Sequence, residues 1–188
     1  MKLNTKKMVL NALLLALGLI IHQLTPAIGL PIQPDISLIM LFTIMIINKG
    51  DYKTSLICGI ACGIFAGLTS KFPGGQIPNI IDKVITTNLV YLLMYVIYKL
   101  PFIKKLSERV QDFIASLIIL PIGTLISGTT FLLAALALVG LPGSFKALFL
   151  IAVVPAIGIN LVCGIFLVKV VTSSVNRLGY KNLSSFNK

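Results

Sequence analysis

Acidic residues, charged residues in general and cysteines are all scarce in this sequence. Only 5 of its 188 residues are Asp or Glu, 11% are charged and 57% are hydrophobic. A soluble domain of this length needs far fewer apolar residues, so the composition excludes an ordinary soluble globular protein. The cysteines lack the spacing of a metal or disulfide framework, and we expect Cys58, Cys62 and Cys163 to be reduced structural residues.

Motifs of catalysis and of nucleotide hydrolysis are also missing. The chain contains no G-x-x-x-x-G-K-[ST], H-E-x-x-H or G-x-S-x-G pattern, and its single histidine, His22, provides little for acid–base chemistry. We therefore expect a protein that is not an enzyme and that holds neither a cofactor nor a metal ion.

The positive charge is large but does not indicate a nucleic-acid partner. The formal net charge is +11, and the basic residues form short clusters at the ends of apolar segments. A nucleic-acid surface would instead place them along one face, interleaved with aromatic residues. Clusters at segment ends are typical of anchoring in a lipid bilayer, so the predicted partner is lipid.

Six apolar segments can be drawn along the chain: 7–24, 34–48, 52–70, 79–100, 111–139 and 145–174. The basic N-terminus lacks a small-residue cleavage site, so it is interpreted as a first membrane helix and not as a signal peptide. The second segment is short and is expected to lie partly in the membrane interface, whereas the sixth is long and is expected to break near Pro155. We predict an all-α integral membrane protein in which residues 1–188 form one domain with six transmembrane helices.

The distribution of lysine and arginine predicts the orientation of these helices. Of the 16 basic residues, only Lys71, Lys83 and Lys146 fall on one side of the predicted membrane. Positive charge marks the cytoplasmic side, so both termini are expected to be cytoplasmic. The outward connections are then "TPAIGLPIQPD", "KFPGGQIP" and "GLPGSF". Their proline and glycine content suits plain turns, the favoured interpretation for "GLPGSF" alone, but three such loops together favour a covered site that opens outward.

Polar residues at membrane depth are the candidates for function. Asn79, Asp82 and Thr86 are spaced i, i+3 and i+7, which places them on one face of the fourth helix. Lys83 should point about 100° away from Asp82, so the two are not expected to neutralise each other. An acid inside a membrane segment is a functional hypothesis by default. The alternative is a carboxylate that only stabilises the start of the helix, since Asp82 falls in the first turn of the predicted segment.

The remaining polar residues carry weaker signals. For Asp35, capping of the second helix is at least as good an explanation as ligand contact. His22 and Gln23 are interpreted mainly as interface residues. Asn160 stands alone in the sixth segment, and an amide in hydrocarbon requires a partner. A polar stripe on the fifth segment is weaker evidence, because such hydroxyls often bond their own backbone; it consists of Thr124, Ser127 and Thr130.

Small residues recur at four-residue spacing on two segments. Ala12 and Ala16 do so on the first, and Gly59, Gly63 and Gly67 on the third. This spacing lets helices approach closely, but it leaves open whether the partner helix belongs to this chain or to another.

The stretch "FPGGQIPNIIDK" closely resembles the signature of the bacterial tryptophan transporter family, which is related to the substrate-binding S components of energy-coupling factor (ECF) transporters. The resemblance extends over most of the chain through "QPDISLIMLF", "GTLISGTTFL" and "GLPGSFKALF". It implies an S-component-like bundle in the bacterial cytoplasmic membrane that captures tryptophan near the outer face. Such proteins work with a transmembrane coupling subunit and two cytoplasmic ATPases. The pair Ala12 and Ala16 matches the A-x-x-x-A pattern with which S components dock the coupling subunit.

Given a tryptophan ligand, the polar residues above can be assigned provisional roles. Asp82 would face the ammonium group. Donors for the carboxylate would come from the Gly74 and Gly75 backbone together with Gln76, Asn79 or Lys83. Thr86, Ser127 and Asn160 complete the expected site. The chain has no tryptophan residue of its own, so stacking falls to phenylalanine or tyrosine, with Phe72 and Phe131 nearest.

Two other functional classes remain open at this point. One is a self-sufficient secondary carrier of tryptophan or a related indole or aromatic compound, with Asp82 or Asp35 as its proton or sodium site. The absence of an internal repeat counts against it. The other is a structural membrane protein without a ligand, which the intramembrane Asp82 and Asn160 make less attractive.

Overall fold

The computed structural model describes residues 5–24 and 35–177, and every regular element within those ranges is helical. The elements are α1 (Thr5–Leu24), α2 (Ile36–Ile47), α3 (Tyr52–Leu68), α4 (Gln76–Lys99), the short α5 (Pro101–Lys104), α6 (Glu108–Leu138), the short α7 (Phe145–Leu148), a π-helical turn (Phe149–Val153) and α8 (Val154–Arg177). The first predicted outward loop, apart from Asp35, and both chain termini lie outside the described residues.

Side chains at the helix ends account for several boundaries. Asp35 caps α2 by accepting the Leu38 N–H, and Asp51 caps α3 by accepting the Thr54 N–H. Burial raises the pKa of the Asp51 carboxyl, but hydrogen bonds from Lys7 and Thr54 outweigh it and leave that pKa below its ordinary value. Both caps lie where the sequence places an acid directly before an apolar run.

Helix α2 lies at the centre of the bundle. It packs against α1, α3, α6 and α8, and every residue from Ser37 to Ile47 is buried. Its 12 residues span only about 18 Å, less than the roughly 30 Å of a bilayer core. The segment is thus too short to cross the bilayer core alone, as predicted, and its partial location in the membrane interface remains a prediction. A helix that is apolar all round is one buried on every side, and here the surrounding medium is protein.

Four helices in the described ranges are long and apolar enough to cross a membrane: α1, α4, α6 and the segment that runs from α7 into α8. Their outer faces expose large apolar side chains, for example Val162 at 71% and Phe166 at 68%. Such a surface suits lipid and not water, so the protein is membrane-embedded. Helices α2 and α3 are shorter apolar helices. Six complete spans and the orientation remain predictions.

The predicted irregularity near Pro155 is confirmed. The chain leaves α-helical geometry over Phe149–Val153, a π-helical turn, and resumes it at Val154. Proline has no N–H to donate to the preceding turn, which favours a local change of hydrogen bonding at this point. The turn places Ala152 and Val153 on the wall of the internal cavity described below.

Glycines bring α3 and α4 into close contact. A Cβ atom on Gly63 would lie 3.1 Å from the Ile80 Cα atom, and one on Gly59 would overlap the Thr87 side chain. The small-residue stripe of α3 therefore has its partner helix within this chain. Ala12 and Ala16 differ, because both are exposed on the outer surface of α1.

Candidate functional site

A cavity of about 150 Å³ opens among the helices at the end of the bundle where α4 begins and α6 ends. This end, the pocket end, is the one that the charge distribution predicts to be outer. The cavity has contributions from α1, α2, α3, α4, α6 and α8, from the π-helical turn and from the loop after α3. Its polar wall residues are His22, Asp35, Ser70, Lys71, Asn79, Asp82, Lys83, Thr124, Ser127 and Asn160.

Lys83 forms the centre of a buried ionic cluster on the cavity wall. Its Nζ atom lies 2.5 Å from Oδ2 of Asp82 and 2.7 Å from Oδ2 of Asp35, and it donates to Ser127 Oγ at 3.3 Å. Lys83 and Asp82 are each only 1% exposed. The expectation that Asp82 and Lys83 do not pair is therefore wrong. The backbone directions diverge, but the long, flexible lysine side chain curls back to reach its neighbour.

Asp82 lies deeper in its helix than the sequence indicated. Helix α4 begins at Gln76, with Gly75 at its N-cap, and carries no acidic residue in its first turn. The alternative that Asp82 only stabilises a helix start is thereby excluded. Its Oδ1 atom accepts from the Thr86 hydroxyl at 2.8 Å, and its Oδ2 accepts from the Ser127 hydroxyl at 2.8 Å. These bonds compensate in part for the loss of water around a buried carboxylate.

Asp35 has the capping role that the sequence indicated, and it also lines the cavity, where contact with a ligand remains a prediction. It caps α2, with Oδ1 accepting from the Ser37 hydroxyl at 2.5 Å, and its Oδ2 atom pairs with Lys83. The His22 Nδ1 atom lies 3.7 Å from Asp35 Oδ1. Asp35 was absent from the predicted set of substrate-binding residues. Its position after a proline indicated a cap, but nothing local indicated its pairing with a lysine on a distant helix.

The cluster has an excess of negative charge. Asp35 and Asp82 contribute two carboxyl groups and Lys83 one amino group, so the formal charges of these three side chains sum to −1. A buried, uncompensated negative charge is unfavourable and attracts a cationic group of suitable shape. The arrangement is chemically suited to an ammonium ligand.

Aromatic side chains border the cavity beside this cluster. The Phe72 and Phe131 rings lie 5.3 Å apart, nearly perpendicular at 86°, and both line the cavity. The prediction that these two are the aromatic residues nearest the site is confirmed. Rings in this geometry present apolar faces and edges against which a third aromatic ring can pack.

An amide and a hydroxyl of the cavity wall are hydrogen-bonded to each other. The Asn160 Nδ2 atom of α8 donates to Thr124 Oγ1 of α6 at 3.1 Å, and both residues are buried. The expectation that an amide at this depth requires a partner is thus confirmed.

Several predicted site residues do not form the cavity wall. Gln76 is exposed. Thr86 does not line the cavity, and its hydroxyl donates to Oδ1 of Asp82. Gly74, with φ of +70°, packs its backbone against Val139, where an added Cβ would lie 2.7 Å from a methyl carbon. The Gly75 N–H donates to the Phe72 carbonyl at 2.9 Å and so is already used within the loop. The two glycines shape the loop.

Asn79 is on the wall and also holds the loop after α3. Its Nδ2 atom donates to Ser70 Oγ at 3.2 Å and to the Gly75 carbonyl at 2.7 Å. Ser70 and Lys71 on this loop also line the cavity, and sequence reasoning missed both. Lys71 was counted only as a marker of orientation, although it directly precedes the motif "FPGGQIPNIIDK".

Comparison with known families settles what kind of protein carries this cavity. A family model described as tryptophan transporter TrpP matches residues 4–176. The chain belongs to the tryptophan transporter family. The family resemblance carried by "FPGGQIPNIIDK" is thereby confirmed, and the match includes all described helices except the last residue of α8.

Curated relatives agree with this family assignment over nearly the whole chain. A probable tryptophan transport protein of Clostridium perfringens is 47% identical over 174 residues, covering 93% of this chain and 95% of the relative. Proteins of the same description from Clostridium acetobutylicum and Bacillus subtilis are 42% and 35% identical, covering 93% and 95% of this chain and 96% and 97% of the relatives. No solved structure matches the chain.

Proposed function

We propose that the chain captures tryptophan in this cavity and serves as the substrate-binding subunit of an ATP-driven ECF-type importer in the bacterial cytoplasmic membrane. The observation that carries the substrate proposal is the buried cluster of Asp35, Lys83 and Asp82, whose excess negative charge lies beside an aromatic wall. Family membership and the names of the relatives support tryptophan in particular.

The ligand's charged groups find complementary partners at the cluster. The ammonium group is placed against Asp82 and Asp35, where it brings the sum of charges to zero. For the carboxylate, we favour Lys71, because it lines the cavity, while the Gly75 N–H and the Asn79 amide already donate within the loop. The indole ring would then pack against Phe72 and Phe131.

The size of the cavity implies that ligand entry moves its walls. Its 150 Å³ is below the roughly 300 Å³ at which small-molecule pockets usually begin. The loop 69–75 contributes Ser70, Lys71 and Phe72 to the wall without being helical, and it contacts the end of α6 through Gly74 and Val139. We place the required movement at this contact.

Titration calorimetry of the purified protein with tryptophan, tyrosine and indole tests the substrate proposal. We expect saturable binding of one tryptophan per chain. Indole should bind at least tenfold more weakly, because it lacks the ammonium and carboxylate groups that the cavity is proposed to recognise. Failure of tryptophan to bind, or equal binding of all three compounds, would contradict the proposal.

The docking role of α1 has a separate test. Ala12 and Ala16 are exposed beside large apolar residues of the same helix, so a second helix could approach them closely. Ala16→Leu should abolish uptake and association with the coupling subunit, yet leave tryptophan binding by the isolated chain intact. Ala137→Leu makes the same change at an exposed alanine near the C-terminal end of α6 and is the matched control. It should preserve uptake, association with the coupling subunit and tryptophan binding.

A self-sufficient carrier is the second candidate, favoured by the two buried carboxylates of the cluster, which could also take up a proton or a sodium ion. Uptake measured in cells with a collapsed proton gradient but intact ATP separates the two candidates. ATP-driven uptake should persist, and the chain should co-purify with ATPase subunits. Uptake that stops with the gradient, without such partners, would favour the carrier.

A further inference from the structure

Asn160 carries a buried hydrogen-bond acceptor that the protein itself does not use. Its Nδ2 atom donates to Thr124, but its Oδ1 atom is buried and has no hydrogen-bond partner among the residues that the structure describes. Asn160 as a whole is only 1% exposed. Buried polar atoms are nearly always paired, so an unpaired acceptor in a cavity wall indicates a partner that is supplied from outside the chain.

The acceptor lies deeper in the cavity than the ionic cluster. Ser127, which contacts Asp82 and Lys83, is three residues nearer the pocket end on α6 than Thr124, the partner of Asn160. Three residues of helix correspond to about 4.5 Å along its axis. The cavity therefore has the ionic cluster nearer its mouth and one neutral acceptor further in.

We propose that Asn160 Oδ1 accepts a hydrogen bond from the ring N–H of the ligand and forms a subsite for amino acids whose aromatic ring carries such a donor. This inference rests on the proposed tryptophan binding. The ring nitrogen of indole donates and does not accept, and it lies on the side of the ring away from the ammonium and carboxylate groups. Thr124 is the positioning residue, because its hydrogen bond with Nδ2 fixes the rotation of the Asn160 amide.

The subsite explains how a small cavity can prefer indole to a ring of equal size. An analogue that lacks the donor leaves the buried acceptor unpaired, and sites of this kind reject such analogues. The test compares tryptophan with 3-benzothienylalanine, in which sulfur replaces the ring N–H while the ring shape is nearly kept. We expect the wild-type protein to bind tryptophan at least tenfold more tightly.

Two variants show whether Asn160 is the source of this preference. In Asn160→Leu, which keeps the side-chain size, the ratio of the two affinities should fall to near one. Asn88→Leu makes the same change on α4 outside the cavity, where Asn88 accepts a hydrogen bond from the Tyr52 hydroxyl, and should retain the wild-type ratio. An Asn160→Leu protein that keeps the preference, or a wild type without one, would overturn the inference while tryptophan binding itself stands. If wild type does not bind tryptophan, the proposed function fails as well.

A measurement on the wild-type protein covers the case in which Asn160→Leu does not fold. The chain contains no tryptophan, so ring-¹⁵N-labelled tryptophan gives the only indole N–H signal in an NMR spectrum. On binding, this signal should move downfield, and its exchange with water should slow at least tenfold because a buried acceptor holds the proton. Unchanged shift and exchange in the bound state would overturn the inference.

Discussion

Two of the five acidic residues in the chain, Asp35 and Asp82, meet at one lysine inside the bundle. They come from different helices, and Lys83 lies between them with both of its ion-pair partners within 2.7 Å. Without the lysine, two carboxylates would share a buried site with only hydroxyls and His22 beside them. The cluster is therefore a point at which stability and ligand binding depend on the same atoms.

Lys83→Met should consequently destabilise the protein strongly. Removing one partner of a buried ion pair typically costs about 3–5 kcal/mol, because the other charge remains buried and uncompensated. Thermal unfolding in detergent should show a large fall in the midpoint temperature. Lys71→Met removes an exposed lysine at the cavity mouth and should shift that midpoint by little. Equal shifts for both variants would show that the cluster does not stabilise the fold.

Polar residues inside apolar segments were correctly predicted to lie on the cavity wall where the segment itself carried the indication. Asp82, Asn79, Ser127 and Asn160 all lie on the cavity wall, as expected of polar residues that interrupt apolar segments. The contribution of Asp35 depends on the folded position of α2 beside α4, and no local pattern encodes it. The direction of the Lys83 side chain was missed because helix geometry fixes Cβ and leaves the end of a long side chain free to turn.

At the level of helices, the ends of the segments could be predicted from the sequence, but whether lipid or protein surrounds each helix could not. Apolar runs located all the main helices, and the irregularity near Pro155 followed from the missing N–H of proline. An apolar run looks the same whether lipid or protein surrounds it, so the sequence did not show that other helices enclose α2. Its shortness is the signal that favours a core helix, because 12 residues cannot span the bilayer alone.

The contact between α3 and α4 can be tested with a pair of glycine variants. Gly59→Ala should lower the unfolding midpoint, because the new Cβ would overlap the Thr87 side chain and push the helices apart. Gly158→Ala is the matched control in α8, where an added Cβ meets nothing within 4 Å. Alanine is favoured over glycine inside a helix by about 1 kcal/mol, so Gly158→Ala should unfold at the wild-type midpoint temperature or above it. If both variants unfold at the wild-type temperature, the close approach of α3 and α4 is wrong.

At the scale of the whole molecule, orientation rests on charge asymmetry, and chemical labelling can examine it. In a background without native cysteines, a cysteine replacing the exposed Gln76 lies at the pocket end, and one replacing the exposed Lys105 lies at the opposite end. Intact cells treated with a membrane-impermeant thiol reagent should label the first and spare the second. The reverse pattern would place the cavity on the cytoplasmic side and remove the basis for outward capture.

Binding of the ligand ammonium by the buried acidic cluster is the central claim, and the affinity of an Asp82→Asn variant tests it most directly. Asparagine keeps one acceptor oxygen, so it can still accept from either Thr86 or Ser127, and Lys83 keeps its contact with Asp35; the variant removes the negative charge of Asp82 and one of these two hydrogen bonds. Losing a hydrogen bond to a charged group in a dehydrated site costs about 1.5–3 kcal/mol, or roughly ten- to a hundredfold in affinity. Asp112→Asn is the matched control, because Asp112 pairs with Lys49 at the other end of the bundle.

Calorimetry with tryptophan and with indole-3-propionate, which lacks the amine, is the decisive measurement. We predict that Asp82→Asn weakens tryptophan binding by about ten- to a hundredfold and weakens indole-3-propionate binding far less. Asp112→Asn should bind both compounds as the wild type does. An equal loss for both compounds in Asp82→Asn, or no loss for either, would contradict the claim that the cluster recognises the ammonium group.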